Sequence, residues 1–267
     1  MKIHLLLTII LTTFYLSLSA QEKTPAQLDD LAKKAQNPVA AMISLPLADY
    51  NWFDFGPDHN VLTSLQFKPV MPSPFLKHVN LIFRSIIPVA IVPAPLNKAG
   101  LGDVELQVFL VPESKTRFIW GAGPYLTFPT GIPTELTSGK WTAGPIAVGL
   151  FTTPKMVFGI LVSNRWSYAG SNSEADINQF YLCPFLNYNF KHGWALTTSP
   201  EIYANWNKPA AEVWTIPIGA GVLKTFLAGK QLMSANIGYY YHIVAPAETG
   251  SGYIKAGFSL MFPVGKK

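Results

Sequence analysis

The sequence predicts an all-β protein: a transmembrane, antiparallel, up-and-down β-barrel of about twelve strands, preceded by a short N-terminal helix. Three observations carry that prediction. Only 13% of the 267 residues are charged while 49% are hydrophobic, against about 25% charged in an ordinary soluble domain, and mean hydropathy is +0.23. No stretch beyond residue 20 is a continuous apolar run of the ~20 residues a helical span needs; the nearest, "SIIPVAIVPAPL", is broken by three prolines. From about residue 41 the chain is instead a succession of strand-like runs of roughly ten residues separated by turn residues. Hydrocarbon offers no water to backbone donors, so only helices and closed barrels cross it.

The elements follow in chain order. Residues 1–20 read as a secretory signal: Lys2 precedes the apolar run "LLLTIILTTFYL", and small residues end the segment, with cleavage after Ser19 or Ala20. Cleavage there removes one charge, lowering the net charge from +5 to +4. No cluster of Lys and Arg exists to grip phosphates, so nucleic acid is excluded as a partner. Cys183 is the single cysteine, and the fold holds without an internal disulfide. Residues 21–40 form a lead-in with one amphipathic helix over 24–36. Thr24 and Gln27 have capping-box spacing, Pro25 suits the first turn, and Leu28, Leu31, Ala32 and Ala35 share a face. Asp29 and Asp30 stand four residues before Lys33 and Lys34, and Asn37-Pro38 stops the helix. It either plugs the barrel, caps its mouth, or simply leads into it.

The barrel occupies residues 41–267. Its runs are 41–55, 61–71, 79–92, 101–111, 117–129, 141–152, 156–168, 178–190, 194–206, 212–226, 232–245 and 253–262. The connections sort by parity. After even-numbered runs come "PSPFLKH", "PESKT", "TPK", "KHG" and "AGKQ"; after odd-numbered runs come generally longer segments such as "TGIPTELTSGK" and "AGSNSEAD". Short turns at one end and long loops at the other are a barrel signature, with both termini on the periplasmic side. Prolines 46, 69, 88, 124, 145, 184, 200 and 217 fall inside the runs, where each removes a ladder donor; bulges would accommodate some of them. Trp52, Trp120, Trp141, Trp166, Trp194, Trp206 and Trp214, with Tyr239, Tyr240 and Tyr241, lie near run ends, where girdle aromatics meet lipid headgroups.

Six stretches, "AQNPVAAMISLP", "GLGD", "WGAGP", "SGKWTAGP", "WSYAG" and "LCPFLNY", give a chain that resembles the exported family named for a MetA pathway of phenol degradation. The resemblance spans essentially the whole mature chain. It implies an outer-membrane barrel linked to uptake of small aromatic or other hydrophobic molecules, and it brings no catalytic or ligand residues. The final run, Lys255-x-Gly257-x-x-Leu260-x-Phe262, resembles the C-terminal signal read by the barrel assembly machinery: a polar residue, a glycine and two outward hydrophobes. The tail "PVGKK" departs from barrels that end on the aromatic itself.

Polar side chains of a barrel point to its lumen, because Arg or Lys facing lipid at midplane costs about 2–4 kcal/mol. Alternation nominates Lys68, Arg84, Asp103, Glu105, Gln107, Glu201, Tyr203 and Lys255 as pore-lining. These form either a selective constriction of opposed charges or a network that fills a narrow lumen. No H-E-x-x-H, Cys/His cluster or EF-hand loop is present, so no metal or cofactor is expected. An acyl hydrolase would need Ser171 or Ser251 near His242 or His59, and no G-x-S-x-G elbow supports it. The expected function is an outer-membrane channel for a small-molecule solute, in contact with membrane lipid and lipopolysaccharide. The alternatives are a closed structural or lipid-handling barrel and, behind that, the hydrolase.

Overall fold

The computed structural model describes residues 25–263 apart from 115 and 248; the signal segment and Thr24 lie outside them. Helix α1 is Pro25–Ala35, followed by strands β1 Met42–Phe55, β2 Asn60–Phe67, β3 Val70–Leu76, β4 Val79–Val92, β5 Lys98–Leu101, β6 Val104–Pro112 and β7 Phe118–Phe128. Then come β8 Lys140–Thr152, β9 Met156–Gly170, β10 Asn178–Asn189, β11 Trp194–Thr198, β12 Ile202–Asn205, β13 Trp214–Ala228, β14 Gln231–Val244 and β15 Gly252–Pro263. All pairings are antiparallel between neighbours, and β15 pairs with β1 from Met42↔Pro263 to Phe53↔Gly252, closing the sheet.

Fifteen strands occupy twelve places in the wall: β2 with β3 and β11 with β12 each share one place between the same neighbours, and β5 continues β6 along β4. The twelve predicted runs correspond to those twelve places, and the short-turn and long-loop ends sort as expected. One boundary moves: "PSPFLKH" is not all turn, since β3 carries the strand through Leu76 and the chain reverses at Lys77-His78.

The register accounts for the prolines. Across the lapse at Lys68-Pro69, β2 and β3 keep one register against both β1 and β4, with shifts only at the far ends, between Trp52 and Phe55 and between Pro74 and Leu76. At the lapse Lys68 N–H donates to the Pro46 carbonyl at 2.8 Å and Ser85 N–H to the Pro69 carbonyl at 3.1 Å. β11 and β12 likewise keep one register and lapse at Ser199-Pro200-Glu201. That register sets Pro184 of β10 in the facing position, while Pro217 sits at a bulge in β13. Between β5 and β6 the pairing with β4 slips by one residue at Gly102-Asp103, and Gly102 N–H donates to the Pro88 carbonyl at 2.8 Å. Pro124 and Pro145 face one another across β7 and β8. Proline has no N–H to contribute, and the chain spends it where the ladder is already interrupted.

Outward positions form an apolar band that includes Leu47, Ile91, Ile160, Ile218, Ile237 and Phe258, all exposed. Trp120, Trp141, Trp166, Trp194 and Trp206 join it as exposed aromatics, as do Tyr239 and Tyr241. Two of the expected girdle residues belong to the interior instead. Trp52 stacks on Tyr50 at 5.3 Å, and Tyr240 is 2% exposed and stacks on Tyr253 at 5.0 Å. Strand alternation decides this: neighbours along a strand point to opposite faces, so Tyr240 cannot share a face with Tyr239 and Tyr241. On β1 the same alternation that buries Ala48 and Tyr50 turns Asp49 and Asn51 outward. There Asn51 Nδ2 donates to Asp49 Oδ2 at 2.7 Å and Thr63 Oγ1 to Asn51 Oδ1 at 2.8 Å, a polar patch on the apolar band.

Candidate functional site

Three kinds of interior succeed one another along the barrel axis. At the short-turn end the lumen is apolar, with Val70, Ile82, Phe109, Ile146 and Leu150 in one buried cluster that Val39, from the segment after α1, joins. Beside it Leu28 and Leu31 of α1 pack against Met42, Leu232 and Met261. Polar contacts fasten the helix there. Asp29 accepts from Gly193 N–H at 2.8 Å, and Gln36 and Asn189 exchange amide hydrogen bonds of 2.7 and 3.1 Å. Gly193 has φ +73°, and a Cβ there would stand 2.2 Å from the Thr225 carbonyl oxygen, so glycine is required at this anchor. Asp30 pairs with Lys34 at 2.7 Å as the spacing suggests, whereas Asp29 is used by the barrel.

Above this floor lies a cavity of about 370 Å³, bounded below by Gln36 and Pro38 and lined by Lys68, Arg84, Glu105, Gln107, Arg165, Glu201, Tyr203 and Lys255. Seven of the eight residues nominated from alternation meet here. The eighth, Asp103, does not. Its Oδ1 accepts from Thr137 Oγ1 at 2.6 Å and Gly131 N–H at 3.1 Å, and its Oδ2 from Ser138 Oγ at 2.6 Å and Ser138 N–H at 2.8 Å. The slip at Gly102-Asp103 redirects the side chain under the 129–139 loop, which it organises.

Two hydrogen-bonded bridges join separated parts of the wall. In the first, Glu201 Oε1 accepts from Tyr50 Oη at 2.7 Å and Lys255 Nζ at 2.9 Å, while Tyr203 Oη donates to Oε2 at 3.0 Å. Lys68 Nζ donates to Tyr50 Oη at 2.9 Å, extending the chain. In the second, Arg165 donates to Glu105 at 3.0 Å, Thr127 at 2.8 Å and Gln179 at 2.6 Å, and its guanidinium lies 4.6 Å from the Tyr125 ring centroid. Tyr125 Oη also donates to Glu105. Both Lys68 and Glu201 stand at ladder lapses, and the freed backbone at the second lapse is satisfied from inside: Tyr240 Oη accepts from Ser199 N–H at 3.0 Å and Tyr253 Oη from Glu201 N–H at 3.4 Å.

Outward of Glu201 and Tyr203 a further cavity of about 250 Å³ shares those two side chains and Trp52 with the first, so the three form the partition between inner and outer lumen. The inner cavity carries four basic side chains, Lys68, Arg84, Arg165 and Lys255, against two carboxylates, Glu105 and Glu201. Arg165 and Lys255 are each paired with one of the carboxylates. Lys68 has the Tyr50 hydroxyl, and Arg84 has no ion pair or hydrogen bond among the described residues. Sequence reasoning missed Arg165, although its signal is present: Ser163, Arg165 and Ser167 are the polar members of one face of β9.

The Ser and His groups of the hydrolase reading have separate partners. His242 Nδ1 bonds the Gly250 carbonyl oxygen at 2.8 Å, and Ser251 Oγ donates to Asp54 at 2.5 Å. Among the described residues no group of three or more His, Cys, Asp or Glu could hold a metal ion.

No protein-family model matches the chain, and no curated protein matches it in sequence. Among solved structures it is similar to an outer membrane channel from Pseudomonas putida F1, with a TM-score of 0.60 at 14% identity, covering 84% of this chain and 97% of that one. It is also similar to the NanC porin, with a TM-score of 0.52 at 13% identity over 83% of this chain and 100% of the porin. What the chain shares with both is the fold, a closed transmembrane antiparallel barrel of twelve wall strands.

Proposed function

We propose that this protein is an outer-membrane barrel that passes small solutes through its lumen, with α1 closing the periplasmic end at rest. The observation that carries the reading is the stacked pair of lumen cavities divided at Trp52, Glu201 and Tyr203, the inner one lined by charged side chains. Glu105 and Glu201 are paired with Arg165 and Lys255, as buried charges must be, but the space beside them is left open rather than filled by the network. The fold likeness to an outer membrane channel and a porin supports the reading, as does the resemblance to the MetA phenol-degradation family, which makes small aromatic or hydrophobic compounds the expected solutes. Lipid, lipopolysaccharide and the barrel assembly machinery are the partners such a barrel requires. Lys255, Gly257, Leu260 and Phe262 of β15 are the proposed assembly signal: the pairing with β1 and β14 sets the first two inward, and Phe262 is exposed outside.

One observation favours the closed-barrel alternative: the apolar cluster completed by Val39 at the short-turn end. Single-channel recording of the refolded protein in a planar bilayer, with and without residues 21–40, separates the two. Stable conductance in the full chain, or conductance on removal of the segment, supports the channel and in the second case makes α1 its plug. Silence from both forms overturns it.

A further inference from the structure

The charge balance and one unsatisfied acceptor of the inner cavity point to a ligand class. Arg84 on β4 stands opposite Gln107 on β6 and opposite Val70 on β3, two residues from Lys68. Continuing the register past the Pro69 lapse sets Lys68, Arg84 and Gln66 on one inward face, and all three line the cavity. Glu105 and Glu201 are satisfied by other cations and hydroxyls, so neither neutralises Arg84. Gln107 is 3% exposed and lines the same cavity, yet its Oε1 has no hydrogen-bond partner. A buried acceptor left unpaired costs about 1–3 kcal/mol, a cost that a bound donor removes. The lining also offers apolar and aromatic side chains, Ile86, Tyr125, Tyr181 and Phe185, alongside polar ones such as Asn187 and Ser199.

We propose that the inner cavity is a binding site for a small organic carboxylate, whose anionic oxygens are held by Arg84 and Lys68 while its apolar body lies against Tyr125, Tyr181 and Phe185. A guanidinium presents a planar fork that matches a carboxylate, and Lys68 adds a second positive charge from the adjoining wall strand. Gln107 Oε1 selects among such acids for one that also carries a hydroxyl or amide donor. About 370 Å³ falls within the range of small-molecule sites. The inference rests on the lumen being open to solute, as the channel reading holds.

Binding of benzoate, benzyl alcohol and benzylamine to the full-length protein in detergent, followed by titration calorimetry, tests the site separately from conductance. The expected result is benzoate bound at least tenfold more tightly than either isostere, with Arg84→Gln reducing the preference over benzyl alcohol to about twofold and Arg84→Lys restoring part of it. Equal binding of benzoate and benzylamine by the wild-type protein overturns the proposal without any variant, so a poorly folding variant does not protect it. A protein that conducts but shows no preference for benzoate keeps the channel and loses the site; one that prefers benzoate but never conducts keeps the site and loses the channel.

Discussion

Glu201 shows how much one side chain holds in this lumen. It ties Tyr50 and Lys255, facing partners on β1 and β15, to the wall place of β12, where Tyr203 stands two residues away, and removing one partner of a buried charge pair leaves the other uncompensated. Glu201→Gln is expected to destabilise the barrel by about 3 kcal/mol, read from its urea midpoint in micelles, and to shift reversal potentials toward anion selectivity. Asp176, in the 171–177 loop, is held below the usual carboxylate range chiefly by the hydrogen bond from Lys140 and then by Ser167. A carboxylate depressed on folding contributes stability that is complete above its unfolded value, about 3.9, and is lost as pH falls through the lower folded value. The loop is therefore expected to stay closed at neutral and mildly acidic pH and to open only in stronger acid. Pepsin cleavage within 171–177, mapped by mass spectrometry, should rise there, and in Asp176→Asn it should be high throughout the acidic range. Asp49 is a carboxylate on the outward face, hydrogen-bonded by Asn51. Asp49→Leu is expected to raise the unfolding midpoint, because a charge there works against the bilayer.

At the scale of elements, α1 is the part whose role the chain disclosed least. Its amphipathic spacing is plain in residues 24–36, but spacing cannot say what a helix packs against, and the plug, the cap and the lead-in were equally compatible with it. The anchors that fasten it, Asp29 to Gly193 and Gln36 to Asn189, join residues more than a hundred and fifty positions apart. Asp29→Ala together with Gln36→Ala is expected to loosen α1, raising open probability in bilayer recordings and speeding proteolysis after Lys33 and Lys34. The strands were far more legible, because alternation and turn parity are local and repeat twelve times around the wall. Alternation alone nominated seven residues that line the inner cavity. Asp103 does not line it, because a one-residue slip at Gly102-Asp103 breaks the local alternation on which the inference stood.

The whole molecule is a sheet closed on itself, with its first and last strands paired over nearly their full length. Such a barrel resists detergent at room temperature and unfolds on heating, so the protein is expected to migrate differently on gels before and after boiling and to fractionate with the outer membrane. Recovery as a soluble periplasmic protein would contradict the architecture's proposed setting. At this scale the sequence discloses the class well and the contents poorly. An apolar composition free of helical spans leaves few folds, whereas the interior depends on which inward groups meet across the lumen, as Arg165 meets Glu105 and Tyr50 meets Glu201.

The proline-marked lapses also bear on how stiff this wall is. A hydrogen-bonded cylinder resists widening because every strand is tied to two others, and local dilation must break ties. At Lys68-Pro69 and at Ser199-Pro200-Glu201 part of that tie is missing in the resting state. Lys68 and Glu201 themselves stand at these two places, whereas Arg84, Glu105, Arg165 and Lys255 sit on regularly paired strands. If the wall dilates, these are the places where the fewest ties must break, and Glu201 of the partition moves with one of them.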